Sequence, residues 1–234
     1  MLPPVVLFDL DDTLVSFSAG PRDYWQEAWQ LHGGEARGVS APRWSEVVWE
    51  VAGPYWADEA LASKRRQDLF AARRDVAAMA FQALGIEDDG LSQRVADEFT
   101  TRKEAAVAPF EGAIETLEAL RARGVRLGLV TNGSGTFQRR KLERYGLARF
   151  FEAILIEGEW GRGKPDPSIF QEALTRLGAT PEQTWMVGDN LNADIAGAQA
   201  LGMRGIWNDH ARAGLPAEPP ARPHRVIHQV SELL

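Results

Sequence analysis

Three aspartates stand within four positions at the end of an apolar run. The segment FDLDDTLV (8–15) contains Asp9, Asp11 and Asp12. Because side chains alternate along an extended strand, we expect Asp9 and Asp11 on one side and Asp12 on the other. Two carboxylates about 5 Å apart repel each other by roughly 3 kcal/mol at an effective dielectric constant of about 20. A bound cation or a shared proton would offset this repulsion, and a helix N-cap or a turn is the purely structural alternative.

Three later segments carry residue types that suit a phosphate group and a metal ion. In TNGSG, Thr131 supplies a hydroxyl group and the glycine-rich turn supplies backbone amides, which together favour an anion. Lys164 lies in the loop segment GKPDP, and Asp189 and Asp194 lie in GDNLNAD. Carboxylate oxygens are the ligands that Mg²⁺ prefers. Taken alone, TNGSG also fits an ordinary turn between a strand and a helix, and the lysine of GKPDP also fits a solvated loop residue.

The formal charges of these residues predict a metal ion. The four aspartates 9, 11, 189 and 194 together with Lys164 leave the pocket near −3. A dianionic phosphate would not enter such a pocket without a cation. We therefore predict an obligate divalent ion, Mg²⁺.

The elements that must position these residues are apolar runs that alternate with amphipathic helix patterns. Buried strands are predicted at 5–10, 125–131, 153–157, 184–189 and 204–208, with a weaker sixth at 225–228. Alternation of this kind predicts an α/β fold, a Rossmann-like doubly wound parallel sheet of strand order 3-2-1-4-5 with a possible sixth strand. Asp9, Thr131 and Asp189 would then meet at the carboxyl ends of neighbouring strands, beside the switch point.

Residues 16–107 interrupt this alternation. They contain no convincing strand, but four segments show helical periodicity, at 22–33, 42–53, 65–85 and 91–106. The predicted organisation is an α/β core domain formed by 1–15 and 108–234, with a helical domain of 16–107 inserted after the first strand.

Composition limits the classes of partner. The 234 residues are 44% hydrophobic, carry a net charge of −7 and include no cysteine. A negative net charge disfavours binding to nucleic acid or to an anionic membrane surface, and the absence of cysteine excludes disulfides and thiolate metal sites. With no signal-like or membrane-spanning run in the sequence, we expect a soluble cytoplasmic protein.

The four motifs in this order resemble those of the haloacid dehalogenase superfamily. The resemblance covers the whole α/β core and rests on DLDDT, the threonine of LVTNG, the lysine of GKPDP and the segment GDNLNAD. It implies that Asp9 is the nucleophile that forms an aspartyl-phosphate. It also implies that Asp11 is the general acid and then the general base.

The resemblance also implies how the metal and the phosphate are held. The Asp9 carboxylate, the Asp11 carbonyl oxygen and the Asp189 carboxylate would bind Mg²⁺. Thr131, the amide of Asn132 and Lys164 would bind the phosphoryl oxygens, and Asp194 would orient Lys164 or a metal-bound water. Asp12 has no assigned role.

The branch of the superfamily is indicated by Asp11, because an alcohol leaving group needs a proton and a halide does not. The implied function is a Mg²⁺-dependent phosphatase of a small phosphorylated metabolite: phosphoglycolate, a sugar phosphate, a sialic-acid phosphate or a nucleotide. A phosphomutase of the same fold and a receiver-like signalling domain are the alternatives. The oligomeric state is not indicated by the sequence.

The helical insert would act in this superfamily as a cap over the active site. Five of the eight tryptophans lie in it, and we expect most of them to pack in its core rather than to contact a ligand. The basic run 64–66 is expected to lie in solvent at the start of a helix. Binding of a second anionic group of the substrate is the alternative. The four histidines, His32, His210, His224 and His228, show no ligand-like spacing and receive no role.

Overall fold

The computed structural model describes residues 2–17 and 21–234. The chain forms two compact units, which we call the α/β unit (the chain up to Ser16 together with Ala108–Leu234) and the helical unit (Phe17–Val107). This division differs by one residue from the predicted one. Residues 18–20 of the predicted insert lie outside the described residues.

The α/β unit is built on a parallel sheet of six strands. Its strands are β1 (Val5–Phe8), β4 (Arg126–Thr131), β5 (Ala153–Ile156), β6 (Thr184–Gly188), β7 (Arg204–Asn208) and β8 (Arg225–Ile227). The order across the sheet is β5-β4-β1-β6-β7-β8, which reads 3-2-1-4-5-6 when only these strands are counted. The predicted doubly wound α/β class is confirmed. The topology differs in detail because two short strands, β2 (Val15–Ser16) and β3 (Ala108–Pro109), pair antiparallel as a separate sheet.

The central strand β1 is buried along its whole length. All four residues of β1 are buried, as expected for a strand of a parallel sheet with helices on both faces. A Cβ atom on Gly128 of β4 would lie 2.7 Å from Leu7 and 2.9 Å from Leu177, so glycine allows this close packing. One core cluster joins Val5 and Leu7 to Phe170 and other apolar residues.

The described residues of the helical unit form the α-helices α1 (Pro21–Leu31), α2 (Ala41–Ala57), α3 (Glu59–Arg65), α4 (Leu69–Leu84) and α5 (Leu91–Ala106). Its core contains Trp25, Trp29 and Trp44, so the expectation that tryptophans pack there holds for these three. Trp29 and Trp44 stack at 4.4 Å between ring centroids.

Two predicted helix bounds in this unit are wrong. Helix α2 continues through Pro54 to Ala57, beyond the predicted end at residue 53. The helix predicted at 65–85 is α4, which begins only at Leu69, because the Asp68 carboxylate accepts from Ala71 N at 3.0 Å and caps its N-terminus. Residue 65 belongs instead to the end of α3, a separate helix. The basic run 64–66 therefore ends helix α3 and does not start a helix.

The helices of the α/β unit connect its strands. They are α6 (Ala113–Ala122), α7 (Gly135–Arg144), α8 (Glu157–Trp160), α9 (Pro167–Leu177) and α10 (Gly197–Gln199), with a π-helical turn at Leu191–Ala196. Among the described residues, every helix is too short or too polar to span a bilayer.

Candidate active site

Three neighbouring strands end at residues predicted for the site. Asp9 directly follows β1, Thr131 is the last residue of β4, and Asp189 directly follows β6. Because β4, β1 and β6 are adjacent and parallel, their carboxyl ends lie at the same edge of the sheet. The Asp9 amide donates to the carbonyl oxygen of Val187 at 2.9 Å, which fixes the chain as it leaves β1.

The chain turns immediately after Asp9. Strand β1 ends at Phe8, two residues before the predicted end, and the Leu10 carbonyl oxygen accepts from the amides of Leu14 and Val15. Asp12 has a φ of 58°, a left-handed conformation that aspartate adopts more readily than most residues. The positions of Asp9 and Asp11 are therefore set by this turn, and simple strand alternation does not describe them.

Lys164 connects two of the predicted aspartates. Its Nζ lies 2.5 Å from Asp9 Oδ1 and 2.6 Å from Asp194 Oδ1. The side chains of Lys164 and Asp194 are almost fully buried. The predicted association of Asp194 with Lys164 is thus present as a direct ion pair.

Asp194 reaches this position through a tight turn after β6. The predicted loop is a π-helical turn, in which the Asn190 side chain accepts from the amides of Asn192 and Ala193. The Asp194 carboxylate in turn accepts from the Asn190 amide at 2.9 Å. A Cβ atom on Gly188 would lie only 2.2 Å from Asp194 Oδ2, so the close approach requires glycine at that position.

Asn132 fastens the loop that carries Lys164. Its side-chain amide donates to the Lys164 carbonyl oxygen at 2.8 Å, and its Oδ1 accepts from the Lys164 amide at 2.7 Å. The next residue, Gly133, donates its amide to Glu157 Oε2 at 2.8 Å. The glycine-rich turn after β4 is thereby tied to the segments that follow β5.

Asp11 is held by helix α7. Lys141 Nζ donates to both Asp11 carboxylate oxygens, at 2.8 and 2.9 Å. Gln138 Nε2 donates to Asp11 Oδ2 at 3.1 Å and to Thr131 Oγ1 at 2.7 Å. A network of side chains therefore links the predicted acid–base residue to the predicted phosphate-binding threonine.

Lys141 and Gln138 are not among the predicted site residues. Both are buried on α7, whereas the intervening Arg139 and Arg140 are exposed. Their spacing of three residues puts them on the same helix face as Leu142 and its apolar neighbours. A lysine and a glutamine on the apolar face of the helix that follows TNGSG were the sequence signal for this network.

Burial and mutual repulsion disfavour ionised carboxylates at this edge of the sheet. Burial is the main cause that raises the pKa of Asp9 to about 7, against the opposing effect of the Lys164 charge. Burial, followed by the charges of Asp9 and Asp194, raises the pKa of Asp189 to about 9. Without a bound cation, the positive charge at this site is therefore too small to keep the Asp9 and Asp189 carboxyl groups fully ionised at neutral pH.

Lys164 stays charged in this environment. Burial disfavours its ammonium form, but the carboxylates of Asp194 and Asp9 outweigh burial and raise its pKa above the ordinary value. A permanently charged, buried ammonium group suits the binding of an anionic oxygen.

The arrangement of carboxylates fits a hard divalent cation. Asp9, Asp189 and Asp194 each place an oxygen so that the three atoms lie within 4.8 Å of one another. A second group, Asp12, Asp189 and His210, meets the same criterion. All of these atoms except the imidazole nitrogen are carboxylate oxygens, the donor type that Mg²⁺ prefers. Asp12 and His210 received no role from the sequence, and the structure brings both beside Asp189.

The residues found here leave the predicted charge of the pocket unchanged. Lys141 adds one positive charge that the sequence-based sum did not include, and Asp12 adds one negative charge. The formal sum therefore stays at −3, which a divalent cation reduces to −1.

The family model described as haloacid dehalogenase-like hydrolase matches residues 3–202. A phosphoserine phosphatase of Thermus thermophilus is 33% identical over 250 residues, covering 98% of this chain and 97% of that protein. A glyceraldehyde 3-phosphate phosphatase of Methanothermobacter thermautotrophicus is 42% identical over 104 residues, which cover 44% of this chain and 46% of that protein.

Solved structures agree with the family match. The crystal structure of a 2-haloacid dehalogenase from Pseudomonas syringae has a TM-score of 0.65 and 32% identity, covering 100% of this chain and 96% of that one. The resemblance of the four sequence motifs to this superfamily is confirmed. The chain belongs to the haloacid dehalogenase-like hydrolases.

Proposed function

We propose that this hydrolase is a Mg²⁺-dependent phosphatase that cleaves small-molecule phosphate monoesters through an aspartyl-phosphate on Asp9. One observation carries the proposal. The oxygens of Asp9, Asp189 and Asp194 converge within 4.8 Å, and Lys164 bonds Asp9 and pairs with Asp194 at the same point. In this proposal the three carboxylates supply the nucleophile and the cation ligands, and Lys164 supplies the ammonium group.

Asp9 is the nucleophile in this proposal. Its carboxylate oxygen attacks the phosphorus atom of the ester, and the bond between phosphorus and the alcohol oxygen breaks. Asp11 gives its proton to the departing alcohol. Asp11 then removes a proton from a water molecule, which attacks the phosphorus of the aspartyl-phosphate, releases inorganic phosphate and restores the Asp9 carboxylate.

Asp11 needs a fixed orientation to serve first as acid and then as base. Lys141 and Gln138 supply it through their hydrogen bonds to the Asp11 carboxylate. Because Gln138 also bonds Thr131, the residue proposed to bind phosphate is held by the same side chain. We assign Lys141 and Gln138 as positioning residues.

Thr131, the Asn132 amide and Lys164 bind the phosphoryl oxygens in this proposal. The Lys164 charge lies against Asp9, where negative charge on the transferred group would develop. The Asn132 side chain holds the Lys164 backbone at 2.7 and 2.8 Å, so this lysine is placed before the substrate arrives. A group already in place costs no reorganisation during the reaction.

Mg²⁺ would be held by Asp9, Asp189 and the Asp11 carbonyl oxygen, with Asp194 supporting Lys164. When bound, the ion would neutralise carboxylate and phosphate charge and so allow the substrate to approach. Asp12 and His210 are close enough to Asp189 to act on its orientation.

The substrate class is a small phosphorylated metabolite. Relatives named for phosphoserine and glyceraldehyde 3-phosphate support this class. Asp11 favours an alcohol leaving group over a halide, although the Pseudomonas syringae structure is named for a dehalogenase. A cytoplasmic location stays a prediction.

The test is a panel of phosphate monoesters assayed with Mg²⁺, with EDTA and with the Asp9→Asn variant. We expect phosphate release that needs Mg²⁺ and that falls by about 10³-fold or more in the variant, since an amide in place of the Asp9 carboxylate is a poor nucleophile. Isomerisation of a hexose 1-phosphate with little phosphate release would indicate the phosphomutase instead. Turnover that resists EDTA, or that survives in Asp9→Asn, contradicts the proposal.

A further inference from the structure

The helical unit contains a cavity of about 250 Å³. Its walls include the rings of Trp25, Trp49, Trp56 and Phe99. Trp25 and Phe99 are stacked face to face at 3.9 Å between centroids, and both residues line the cavity. The volume lies just below the range of roughly 300–1,000 Å³ for drug-sized ligands, so it suits a small metabolite.

Arg73 brings a positive charge to this apolar cavity. The residue is 7% exposed and lines the cavity. Its Nη1 atom has no hydrogen-bond partner within the described part of the chain, 2–17 and 21–234. A buried guanidinium N–H that lacks a partner costs free energy in the folded protein.

The surroundings of Arg73 do not remove this cost. Burial lowers its pKa to about 10, and the opposing effect of the Glu104 charge is smaller. The guanidinium carbon lies 5.2 Å from the Phe99 ring centroid, which is within the range of a cation–π contact. An aromatic face gives a cation weaker compensation than a hydrogen-bonded anion gives.

Two further cations line the cavity and add to its positive charge. Lys103 Nζ lies 4.3 Å from the Phe17 ring centroid and 5.9 Å from that of Phe99. Arg66 also lines the cavity and donates to Glu59 at 3.0 Å. The described lining of the cavity therefore combines cationic side chains with aromatic rings.

We propose that this cavity is a binding site for a small organic anion that has an apolar or aromatic body and a carboxylate or similar group bound by Arg73. The body would lie against Trp25 and Phe99, and the anionic oxygens would accept the hydrogen bond that Arg73 Nη1 does not make to any described residue. The proposal concerns a site in the helical unit and does not depend on phosphatase activity.

The ligand chemistry has two possible sources, the organic part of the hydrolysed substrate and a separate metabolite. Both would present the same features to the cavity, an apolar body and an anionic end. The type of inhibition that the bound acid causes in ester hydrolysis distinguishes the two sources.

The primary test is binding to the purified full chain in the absence of any phosphate ester. We choose 3-phenylpropionate and indole-3-acetate as probes, each compared with its neutral amide. Calorimetry gives the affinity, and quenching of tryptophan fluorescence reports on Trp25, Trp49 and Trp56 in the wall. We expect saturable binding of at least one acid, with its amide bound about tenfold or more weakly, as the loss of a charge-assisted hydrogen bond predicts.

Arg73→Gln should weaken binding of the acid about tenfold or more and leave binding of the amide nearly unchanged. Arg74→Gln is the matched control, because Arg74 is the next residue of α4 and bonds Asp97 at 2.6 and 2.7 Å instead of lining the cavity. Arg74→Gln should bind both probes like the wild type.

Folding of the variant is checked with Arg73→Met. Replacing a buried guanidinium whose Nη1 lacks a hydrogen bond within the described residues by an apolar side chain should leave the melting temperature unchanged or raise it. If neither acid binds, if acid and amide bind equally, or if Arg73→Gln and Arg74→Gln lose binding alike, the proposal is wrong.

Inhibition of p-nitrophenyl phosphate hydrolysis by the bound acid then identifies the source. Competitive inhibition that Arg73→Gln weakens indicates the organic part of the substrate. Non-competitive inhibition or activation indicates a separate metabolite. Failure of the phosphatase proposal would appear as absent hydrolysis with acid binding intact, so the two proposals fail independently.

Discussion

Lys141 donates to both carboxylate oxygens of Asp11 from a buried position on α7, at 2.8 and 2.9 Å. The lysine follows the second strand of the sheet in chain order, and the aspartate follows the first. The turn after β1 places the Asp11 backbone, and a neighbouring element orients the carboxylate that is proposed to carry a proton. The side chains of the proposed acid–base residue and of the proposed nucleophile are therefore oriented by different lysines, Lys141 for Asp11 and Lys164 for Asp9.

Lys141→Met should lower kcat by about 10²-fold with little change in KM, because Asp11 loses its orientation while the phosphate-binding groups stay in place. Steady-state kinetics with one ester from the panel measures both constants. Arg140→Met is the control, since Arg140 is the exposed neighbour on the same helix. Equal activity of the two variants would contradict the positioning role.

Gly188→Ala should abolish most of the activity without unfolding the protein. The added Cβ atom would lie 2.2 Å from Asp194 Oδ2, so the carboxylate that pairs with Lys164 must move. A displacement of about 1 Å in such a group costs about 10²-fold in rate. The matched variant is Gly53→Ala, where nothing lies within 4 Å of the new Cβ atom. Wild-type kcat in Gly188→Ala would show that the close approach is not needed.

Asp189→Asn should stabilise the metal-free protein while removing activity. The pKa of Asp189 is raised to about 9 in the folded state, against about 3.9 for an unfolded aspartate. The folded state therefore holds the proton more strongly, and stability falls as the pH rises from about 4 toward about 9. The asparagine variant lacks this penalty.

Thermal melts in EDTA measure this effect. We expect Asp189→Asn to melt above the wild type at about pH 8, with the difference disappearing near pH 4, below the range in which the group titrates. Added Mg²⁺ should raise the melting temperature of the wild type and leave that of the variant unchanged. A wild type that melts higher than the variant in EDTA at about pH 8 would refute the prediction.

Mg²⁺ binding should release protons and weaken as the pH falls. The pKa values of Asp9, about 7, and of Asp189, about 9, mean that these carboxyl groups are partly or mainly protonated at neutral pH before the ion binds. The ion binds the ionised form, so affinity should drop between about pH 9 and about pH 6. Calorimetry in buffers of different ionisation enthalpy counts the protons. An affinity independent of pH over this range would contradict the account.

The sequence was informative where local pattern and topology agree. Alternating strands and helices predicted the parallel sheet, and parallel topology then placed Asp9, Thr131 and Asp189 at one edge. That inference needs only the order of the elements and the residue that ends each strand. It is insensitive to errors of one or two residues in the bounds, such as the early end of β1 at Phe8.

The partners of the site residues were less predictable. Gln138 and Lys141 lie in FQRRKLER among other basic residues, and only the helix phase distinguishes the buried pair from the exposed Arg139 and Arg140. Pairing of Asp194 with Lys164 depends on a π-helical turn, a rare conformation that propensity does not indicate. His210, which lies two residues beyond β7, comes within 4.8 Å of Asp189, a proximity that spacing along the chain cannot show.

The most direct test of the central claim is to look for the phosphoryl group on Asp9. The enzyme is mixed with a reactive monoester and Mg²⁺, quenched in acid within the first turnovers, digested and analysed by mass spectrometry. We predict a phosphorylated peptide containing residues 8–15, absent from Asp9→Asn and from samples prepared in EDTA. A phosphoryl group on another residue, or phosphate release by an Asp9→Asn protein at the wild-type rate, would contradict the account.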